Sequence, residues 1–105
     1  MSRLQRMLIC NRGEIAIRIA EAAASLDMET VSVYAAVDKT ARHTSVTTTS
    51  VQISGSDGVA AYLNIDAVLE IAQAESCDCV HPGYGFLSEN AEFAERCAEA
   101  GITFI

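Results

Sequence analysis

The chain has 105 residues, 50% of them hydrophobic, which suffices for one small folded domain and excludes a disordered chain. Its formal net charge of −7 argues against nucleic acid and anionic membranes as partners, because phosphate groups require clustered Lys and Arg. No apolar run approaches the length of a membrane span, and Asn11, Arg12 and Glu14 interrupt any signal-peptide core. We therefore expect a cytoplasmic protein, or one of the mitochondrial matrix after loss of a transit peptide.

The cysteines are expected to be buried free thiols. The sequence has four, and no two of them form a Cys-x-x-Cys motif. Cys77 and Cys79 stand close together at the start of a predicted strand. In a reducing compartment cysteine is a common small core residue, which favours thiols over zinc ligands or disulfides.

The first predicted elements are a strand and a long helix. Residues 7–10 are a continuous apolar run, typical of a strand buried on both faces. Asn11 and Glu14 have the spacing of a capping box and predict a helix that runs to about Leu26. The predicted core stripe of this helix is Ile15, Ile19, Ala22 and Leu26, and its one narrow polar stripe is Glu14, Arg18, Glu21 and Ser25. Because nearly all other positions are Ala or Ile, we expect a second domain or a partner subunit to cover its outer face.

The middle of the chain predicts two more strands and a second helix. Residues 30–35 alternate with β-branched side chains and predict a strand, and residues 51–53 predict a shorter one. Residues 39–50 are rich in Thr and Ser and predict only a loop or a short helix, and residues 54–58 predict a turn. Asn64 is a suitable N-cap for a helix whose inner face is Ile65, Val68, Leu69 and Ala72.

The end of the chain predicts a strand, a helix and one last strand. Residues 78–81 form the strand, residues 89–100 the helix, and Gly101 is placed to end that helix. The predicted inner face of the helix is Phe93, Cys97 and Ala100. The chain then closes on the apolar run 102–105, and because domains rarely end on a buried strand, we expect a fragment of a longer protein.

The element order predicts the fold class. Strands and helices alternate as β-α-β-(β)-α-β-α-β, which implies a parallel sheet with helices on both faces. We therefore predict an α/β fold, a Rossmann-like doubly wound parallel sheet in three layers, α-β-α. The segment 11–14 stands where such proteins carry a phosphate loop, but it has a single glycine and no Walker lysine, which argues against a nicotinamide or P-loop site. Its simplest interpretation is a capped helix start, with Gly13 allowing close packing.

The segment 81–90, His-Pro-Gly-Tyr-Gly-Phe-Leu-Ser-Glu-Asn, is the strongest candidate for a ligand site. It lies at a strand-to-helix junction, where α/β proteins bind ligands. Gly83 and Gly85 flank Tyr84, so the backbone can approach a ligand closely while one aromatic ring stays beside it. The alternative is a well-packed connection with Ser88 as the helix N-cap.

The charged and titratable residues do not form a recognisable catalytic set. His81 precedes a proline and is more often structural than a base, and His43 lies in a polar stretch and is expected to be exposed to solvent. Glu89 is predicted in the first helical turn, where a carboxylate complements the helix dipole. The sequence predicts no Ser-His-Asp, Cys-His or paired-carboxylate arrangement, hence no complete active site.

Two motifs resemble the N-terminal domain of biotin carboxylase. They are residues 8–18, Leu-Ile-Cys-Asn-Arg-Gly-Glu-Ile-Ala-Ile-Arg, and the segment 81–90, and residues 62–65 and 100–105 also fit. The resemblance covers essentially the whole chain in register. In this family the domain precedes an ATP-grasp region, which implies that residues 1–105 form one pre-ATP-grasp domain truncated before that region. The sequence departs from the family pattern at Cys10, Glu21 and residues 47–48.

The resemblance implies a function for the parent protein. It implies an ATP-dependent ligase that uses ATP, Mg²⁺ and bicarbonate to carboxylate biotin on a carrier, most simply within an acyl-CoA carboxylase, with pyruvate and urea carboxylases as further types. The implied partners are an ATP-grasp domain of the same chain, a biotin carboxyl carrier, a carboxyltransferase and a second copy in a homo-oligomer. The domain alone is expected to be inactive and to bind no cofactor or metal.

The resemblance also implies roles for particular residues. Tyr84 and Gly85 would lie at the ureido ring of biotin. The implied lining of the rest of the cleft is His81, Gly83 and Glu89, and the implied subunit interface is Arg18 and Glu21. No residue of this segment is implied to be catalytic. Two alternatives stay open: the N-terminal domain of another ATP-grasp ligase of the carbamoyl-phosphate type, and a non-catalytic flavodoxin-like binding module.

Overall fold

A computed structural model describes residues 4–105. Its centre is a five-stranded parallel sheet in the order β3-β2-β1-β4-β5. The strands are β1 (Arg6–Ile9), β2 (Glu29–Tyr34), β3 (Thr49–Gln52), β4 (Cys79–His81) and β5 (Thr103–Phe104). The central strand β1 pairs with β2 on one side and with β4 on the other, so chain connections leave it in opposite directions.

Helices cover both faces of the sheet. They are α1 (Gly13–Ser25), α2 (Val59–Tyr62), α3 (Ile65–Ala74) and α4 (Ala91–Glu99). One core cluster joins α1 to one face of the sheet through Met7, Ile9, Cys79 and alanines of the helix. The other cluster joins α3 and α4 to the opposite face through Leu8, Val31, Val33 and Val80. The predicted doubly wound α/β fold in three layers is therefore confirmed.

Several predicted boundaries differ from the structure. The last helix begins at Ala91 rather than at residue 89, and β3 begins at Thr49, inside the stretch that gave no periodicity. That stretch also contains a short 3₁₀ turn, Arg42–Thr44, and a first 3₁₀ turn, Ala36–Asp38, comes just before it. The short helix α2 was not predicted, because four residues of Val, Ala and Tyr carry no helical period.

The predicted core stripe of α1 is wrong. The buried face is instead Ala16, Ile17, Ala20 and Ala23, whereas Ile15 and Ile19 are half-buried, Ala22 is exposed and Leu26 is 61% exposed. The physical reason is the small size of alanine, which lets the helix approach the sheet more closely than a face of isoleucines would. Among the larger side chains, only Ile17 is buried with the alanines, and the expected cover on the outer side stays a prediction.

The caps of the later helices are set by asparagine. Asn64 Oδ1 accepts from Ala67 N–H at 3.1 Å, which confirms the predicted N-cap of α3. Asn90 Oδ1 accepts from Phe93 N–H at 2.9 Å, so Asn90, and not Ser88, caps α4. Phe93 and Cys97 are buried as predicted, but Ala100 is exposed because the helix has ended one residue before it.

All four cysteines are buried free thiols, as predicted. Burial raises the pKa of the thiols of Cys10 and Cys79 to about 12 and that of Cys77 to about 11. A thiol of such high pKa is almost entirely protonated at neutral pH and is a poor nucleophile. Within residues 4–105, each helix is too short or too polar to cross a bilayer.

Candidate functional site

The candidate site lies at the carboxyl ends of β1 and β4. These neighbouring strands diverge in connectivity, since β1 leads through α1 to β2 while β4 leads through α4 to β5 on the opposite side. Such a topological switch point opens a crevice, and ligands of open α/β sheets bind there. The segment 82–90 follows β4 at this point, and Asn11 follows β1 directly beside it.

The side chain of Asn11 joins the two strand ends. It is 1% exposed, and its Nδ2 donates to the carbonyl oxygens of Pro82 at 2.7 Å and of Tyr84 at 2.8 Å. Its Oδ1 accepts from the backbone N–H of Arg12 at 2.8 Å. The predicted capping box is therefore wrong: the helix begins at Gly13 with Arg12 at the N-cap position and no side-chain cap. The amide hydrogens of Asn11 are used by the loop after β4.

Gly83 is required by close packing against α1. Its φ is +69°, a left-handed conformation that favours glycine, and a Cβ there would lie 2.8 Å from Asn11 Nδ2 and 2.8 Å from Ile15 Cγ2. The backbone N–H of Gly83 donates to His81 Nδ1 at 3.1 Å. Burial lowers the pKa of His81, which favours the neutral ring that this accepting nitrogen requires. Gly83 and His81 thus anchor the loop to the body of the domain. That they line a ligand cleft stays a prediction.

Tyr84 and Gly85 form the outermost part of the loop. The side chain of Tyr84 is 79% exposed, although its own carbonyl is held by Asn11. Gly85 has a φ of +75°, and apart from its chain neighbours Tyr84 and Phe86 no described atom lies within 4 Å of the position where its Cβ would be. The structure therefore offers an aromatic ring beside open space over a glycine. A flat polar ring could pack on the side chain of Tyr84 and reach the backbone of Gly85.

The next residues anchor the loop from its other side. Leu87 is 1% exposed, and the ring of Phe86 lies 5.4 Å from the ring of Tyr62 between centroids. The backbone N–H of Ser88 donates to the carbonyl of Gly85 at 2.9 Å. Glu89 is exposed and stands before the helix rather than in its first turn, so it does not have the dipole contact that the sequence predicted.

A buried polar network that the sequence did not predict supports the loop. Tyr62 O–H donates to Asp38 Oδ2 at 2.7 Å and accepts from the backbone N–H of Ala35 at 3.2 Å. Arg12 Nη2 lies 2.6 Å from Asp38 Oδ1, and its guanidinium carbon is 5.8 Å from the centre of the Tyr62 ring. Burial, and to a smaller extent the Asp38 carboxylate, raises the pKa of Tyr62, so the phenol stays a donor at neutral pH. No spacing in the sequence links these residues, because they come from the start of α1, the first 3₁₀ turn and the end of α2.

His43 belongs to the same region and corrects the prediction of a solvent-exposed histidine. It is 1% exposed, and its Nε2–H donates to the carbonyl of Val33 at 3.2 Å. The second 3₁₀ turn folds it over β2 beside Tyr62, with the ring centroids 6.5 Å apart. Burial lowers the pKa of His43. Its Thr- and Ser-rich surroundings in the sequence gave no sign of this burial.

The residues predicted for a subunit interface lie on the outer side of α1. Arg18 and Glu14 form an exposed i,i+4 ion pair at 3.3 Å, and Glu21 is also exposed. Beside them lies an apolar groove of about 450 Å³, whose lining includes Met7, Ile19, Leu26, Met28, His81 and Ile105. Among residues 4–105, no group of three or more His, Cys, Asp or Glu side chains is placed to hold a metal ion.

The five-stranded parallel sheet with a glycine-rich loop at its switch point defines a domain of the doubly wound α/β class. Residues 3–105 match the family described as "Biotin carboxylase, N-terminal domain". The chain belongs to this family.

Individual relatives agree with the family assignment. Pyruvate carboxylase of Staphylococcus aureus (strain Mu50 / ATCC 700699) is 48% identical over 106 residues, which are 100% of this chain and 9% of that protein. A solved single-chain, multi-domain long-chain acyl-CoA carboxylase is 49% identical with a TM-score of 0.92, over 95% of this chain and 10% of the other.

A third relative was solved with ligands. It is the biotin carboxylase domain dimer of Hydrogenobacter thermophilus 2-oxoglutarate carboxylase, in complex with MgADP, ADP and bicarbonate. It is 38% identical to this chain with a TM-score of 0.93, over 99% of this chain and 23% of that one. This chain thus spans 9 to 23% of the length of the three relatives.

The lowered pKa of His43 predicts a dependence of stability on pH. Since the folded pKa lies below the unfolded value of about 6.5, the unfolded state binds the extra proton, and the free energy of unfolding falls as pH drops below about 6.5. One such group contributes a slope of at most about 1.4 kcal/mol per pH unit. We expect His43→Gln to flatten, but not abolish, the profile measured by urea unfolding between pH 5 and 8. An amide can still donate to Val33, and His81, whose pKa burial also lowers, keeps its own contribution.

Lys39→Gln is the control for this measurement. Lys39 is exposed, so its loss should leave the shape of the profile unchanged. An equally steep profile in His43→Gln and the unsubstituted protein would mean that another group titrates.

Proposed function

We propose that this chain is the N-terminal domain of a longer ATP-dependent ligase that carboxylates biotin with bicarbonate. The observation that carries the proposal is the loop at the switch point, where the exposed ring of Tyr84 stands beside open space over Gly85 on an anchored backbone. Family membership supports biotin as the ligand of this loop. It also favours this function over a carbamoyl-phosphate-type ligase or a flavodoxin-like module.

The loop residues would take different parts in binding biotin. The ureido ring is flat and carries both hydrogen-bond donors and an acceptor, so it suits an aromatic face together with an accessible backbone. We assign the aromatic face to Tyr84 and the backbone contact to Gly85, where a side chain would occupy the space of the ring. His81, Gly83 and Glu89 would complete this side of the cleft.

ATP and Mg²⁺ would be held by an ATP-grasp domain that follows this one in the same chain. When bound, they supply the activation of bicarbonate to a carboxyphosphate that delivers the carboxyl group to N1 of biotin. The complex of the Hydrogenobacter thermophilus domain with MgADP and bicarbonate supports this assignment. The present domain contributes one wall of the cleft and no catalytic residue, and it is expected to be inactive alone.

The partners follow from the transfer that the enzyme performs. Biotin would arrive on a carrier domain or protein, and a carboxyltransferase would pass the carboxyl group to the final acceptor. We propose an acyl-CoA as acceptor, hence a place in fatty acid metabolism, supported by 49% identity to a long-chain acyl-CoA carboxylase. The 48% identity to a pyruvate carboxylase supports pyruvate almost equally. We place the enzyme in the cytoplasm.

The assay that tests the function is bicarbonate-dependent ATP hydrolysis by the full-length enzyme, with and without free biotin. We expect biotin to stimulate turnover, because only a cleft that binds the ureido ring couples its carboxylation to ATP cleavage. The chain of residues 1–105 is the control and should hydrolyse no ATP. Bicarbonate-dependent hydrolysis indifferent to biotin would instead indicate another ATP-grasp ligase.

Substitution of Gly85 tests the contact with biotin. In the full-length enzyme, Gly85→Leu should lower kcat/KM for free biotin by about a hundredfold, since the new side chain would fill the ring site and lose about 3 kcal/mol of binding. The KM for ATP should change by less than about threefold, which is a difference below 1 kcal/mol. Steady-state kinetics with each substrate varied in turn measure both values.

Gly55→Leu is the matched control for Gly85→Leu. Gly55 has a φ of +86° and likewise has no atom within 4 Å of its Cβ position, so the backbone strain is similar at both sites. It lies in the turn after β3, a strand that β2 and β1 separate from β4 in the sheet. Equal losses in the two variants, or equal loss of biotin and ATP parameters in Gly85→Leu, would contradict the assigned contact.

Charge reversal at Arg18 tests the proposed homo-oligomer. The side chain is 77% exposed and its only described ion pair is the exposed one with Glu14, so Arg18→Glu should leave the fold intact. At an interface, the reversed charge should shift the sedimentation profile of the full-length enzyme toward a smaller species at micromolar concentration. Arg42→Glu, which reverses another exposed charge on a 3₁₀ turn, is the control. An unchanged profile for Arg18→Glu would count against an interface on α1.

A further inference from the structure

We propose that Asn11 is a positioning residue for biotin, because its buried amide fixes the peptide plane that joins Tyr84 to Gly85. The proposal rests on the proposed function of the loop and adds to it a residue outside the loop. Asn11 belongs to a different strand end and touches the loop only through backbone carbonyls. It would set the orientation of the biotin contacts without itself meeting biotin.

The two hydrogen bonds of Asn11 determine the course of the loop. They reach the carbonyls of Pro82 at 2.7 Å and Tyr84 at 2.8 Å, so one side chain holds alternate peptide units on both sides of Gly83. The third bond, from Arg12 N–H to Oδ1 at 2.8 Å, fixes the orientation of the side-chain amide, with Oδ1 toward Arg12 and Nδ2 toward the loop. Asn11 itself is 1% exposed; its bond to Pro82 is buried, and the bonds with Tyr84 and Arg12 are partly buried.

The bond to the carbonyl of Tyr84 has a direct consequence for Gly85. The carbonyl of Tyr84 and the N–H of Gly85 belong to the same planar peptide unit, and in a trans peptide these groups point in opposite directions. Since the carbonyl points inward to Asn11, the N–H of Gly85 points away from it. Asn11 thereby directs the N–H of Gly85 away from the body of the domain. Gly85 is also the residue with open space at its Cβ position.

Packing around Gly83 restricts the loop to this position. A Cβ on Gly83 would lie 2.8 Å from both Asn11 Nδ2 and Ile15 Cγ2, so the glycine backbone rests directly on Asn11 and the first turn of α1. This close fit leaves no room for a side chain at Gly83 and packs the segment between the two bonded carbonyls against α1. Tyr84 can therefore be 79% exposed while its backbone stays fixed. A preorganised site of this kind loses less entropy on binding than a mobile loop.

The test compares Asn11→Asp with Ser32→Ala in the full-length enzyme. Asn11→Asp keeps the size and the acceptor for Arg12 N–H but removes both donors to the loop. Ser32→Ala removes another hydrogen bond of a buried residue, the 2.8 Å contact with Thr47 Oγ1, and no described side-chain hydrogen bond joins Ser32 to the loop. If Asn11→Asp does not accumulate as folded enzyme, Asn11→Ser, which keeps one donor on a shorter side chain, replaces it.

Two readouts separate positioning from a merely structural role. The KM for free biotin should rise about tenfold or more in Asn11→Asp, as expected for lost buried hydrogen bonds, while the KM for ATP stays within about twofold. Hydrogen exchange should speed up at the amides of Ser88 and Asn90, whose bonds to the carbonyls of Gly85 and Leu87 close the loop. Ser32→Ala should neither raise the KM for biotin more than the KM for ATP nor speed exchange at the amides of Ser88 and Asn90.

The outcomes distinguish this proposal from the proposed function. Biotin-stimulated turnover in the unsubstituted enzyme, together with an unchanged biotin KM in the Asn11 variant, would overturn the role of Asn11 and leave the proposed function standing. Equal changes in the biotin and ATP parameters, or the same pattern in Ser32→Ala, would reduce Asn11 to a structural residue. An unsubstituted enzyme indifferent to biotin would overturn both, and unchanged exchange at the loop would exclude even the anchoring role.

Discussion

The pairing of β1 between β2 and β4 is the constraint on which the rest of the structure depends. Because all strands are parallel, the carboxyl ends of β1 and β4 lie side by side, and everything that follows them meets at one edge. The register that sets Ile9 opposite His81 brings Asn11 beside the segment after β4. A site composed of residues some seventy positions apart thus depends on one short parallel ladder.

Around this edge, the domain combines a rigid base with an exposed surface. The base consists of Asn11, Gly83 and the Tyr62–Asp38 pair, all tied by hydrogen bonds or close packing to different elements. The surface is Tyr84 with the open side of Gly85. Such a division suits a domain that supplies one wall of a cleft. The exposed groups are available for a ligand, because other, buried residues anchor the loop and stabilise the fold.

The outer side of α1 is a second exposed surface of the domain. Three alanines and Ile17 face the sheet, so Leu26, part of Ile19 and the Arg18–Glu14 pair are left outside. They border an apolar groove whose lining includes His81, the residue that accepts the N–H of Gly83. The groove and the loop therefore share one side chain. A domain or subunit bound in this groove would contact His81 and would therefore lie next to the proposed biotin loop.

The sequence by itself determined the class of fold, the burial of the thiols and the segment 81–90 as the candidate site, because these follow from local patterns: alternating elements, cysteine spacing, and glycines around an aromatic residue. Only the tertiary structure decided which face of α1 is buried, since nearly every face is apolar and closeness of approach selects alanine. It likewise decided that Asn11 holds a loop rather than caps a helix, and that His43 is buried. Their partners come from distant parts of the chain, and no local pattern records such contacts.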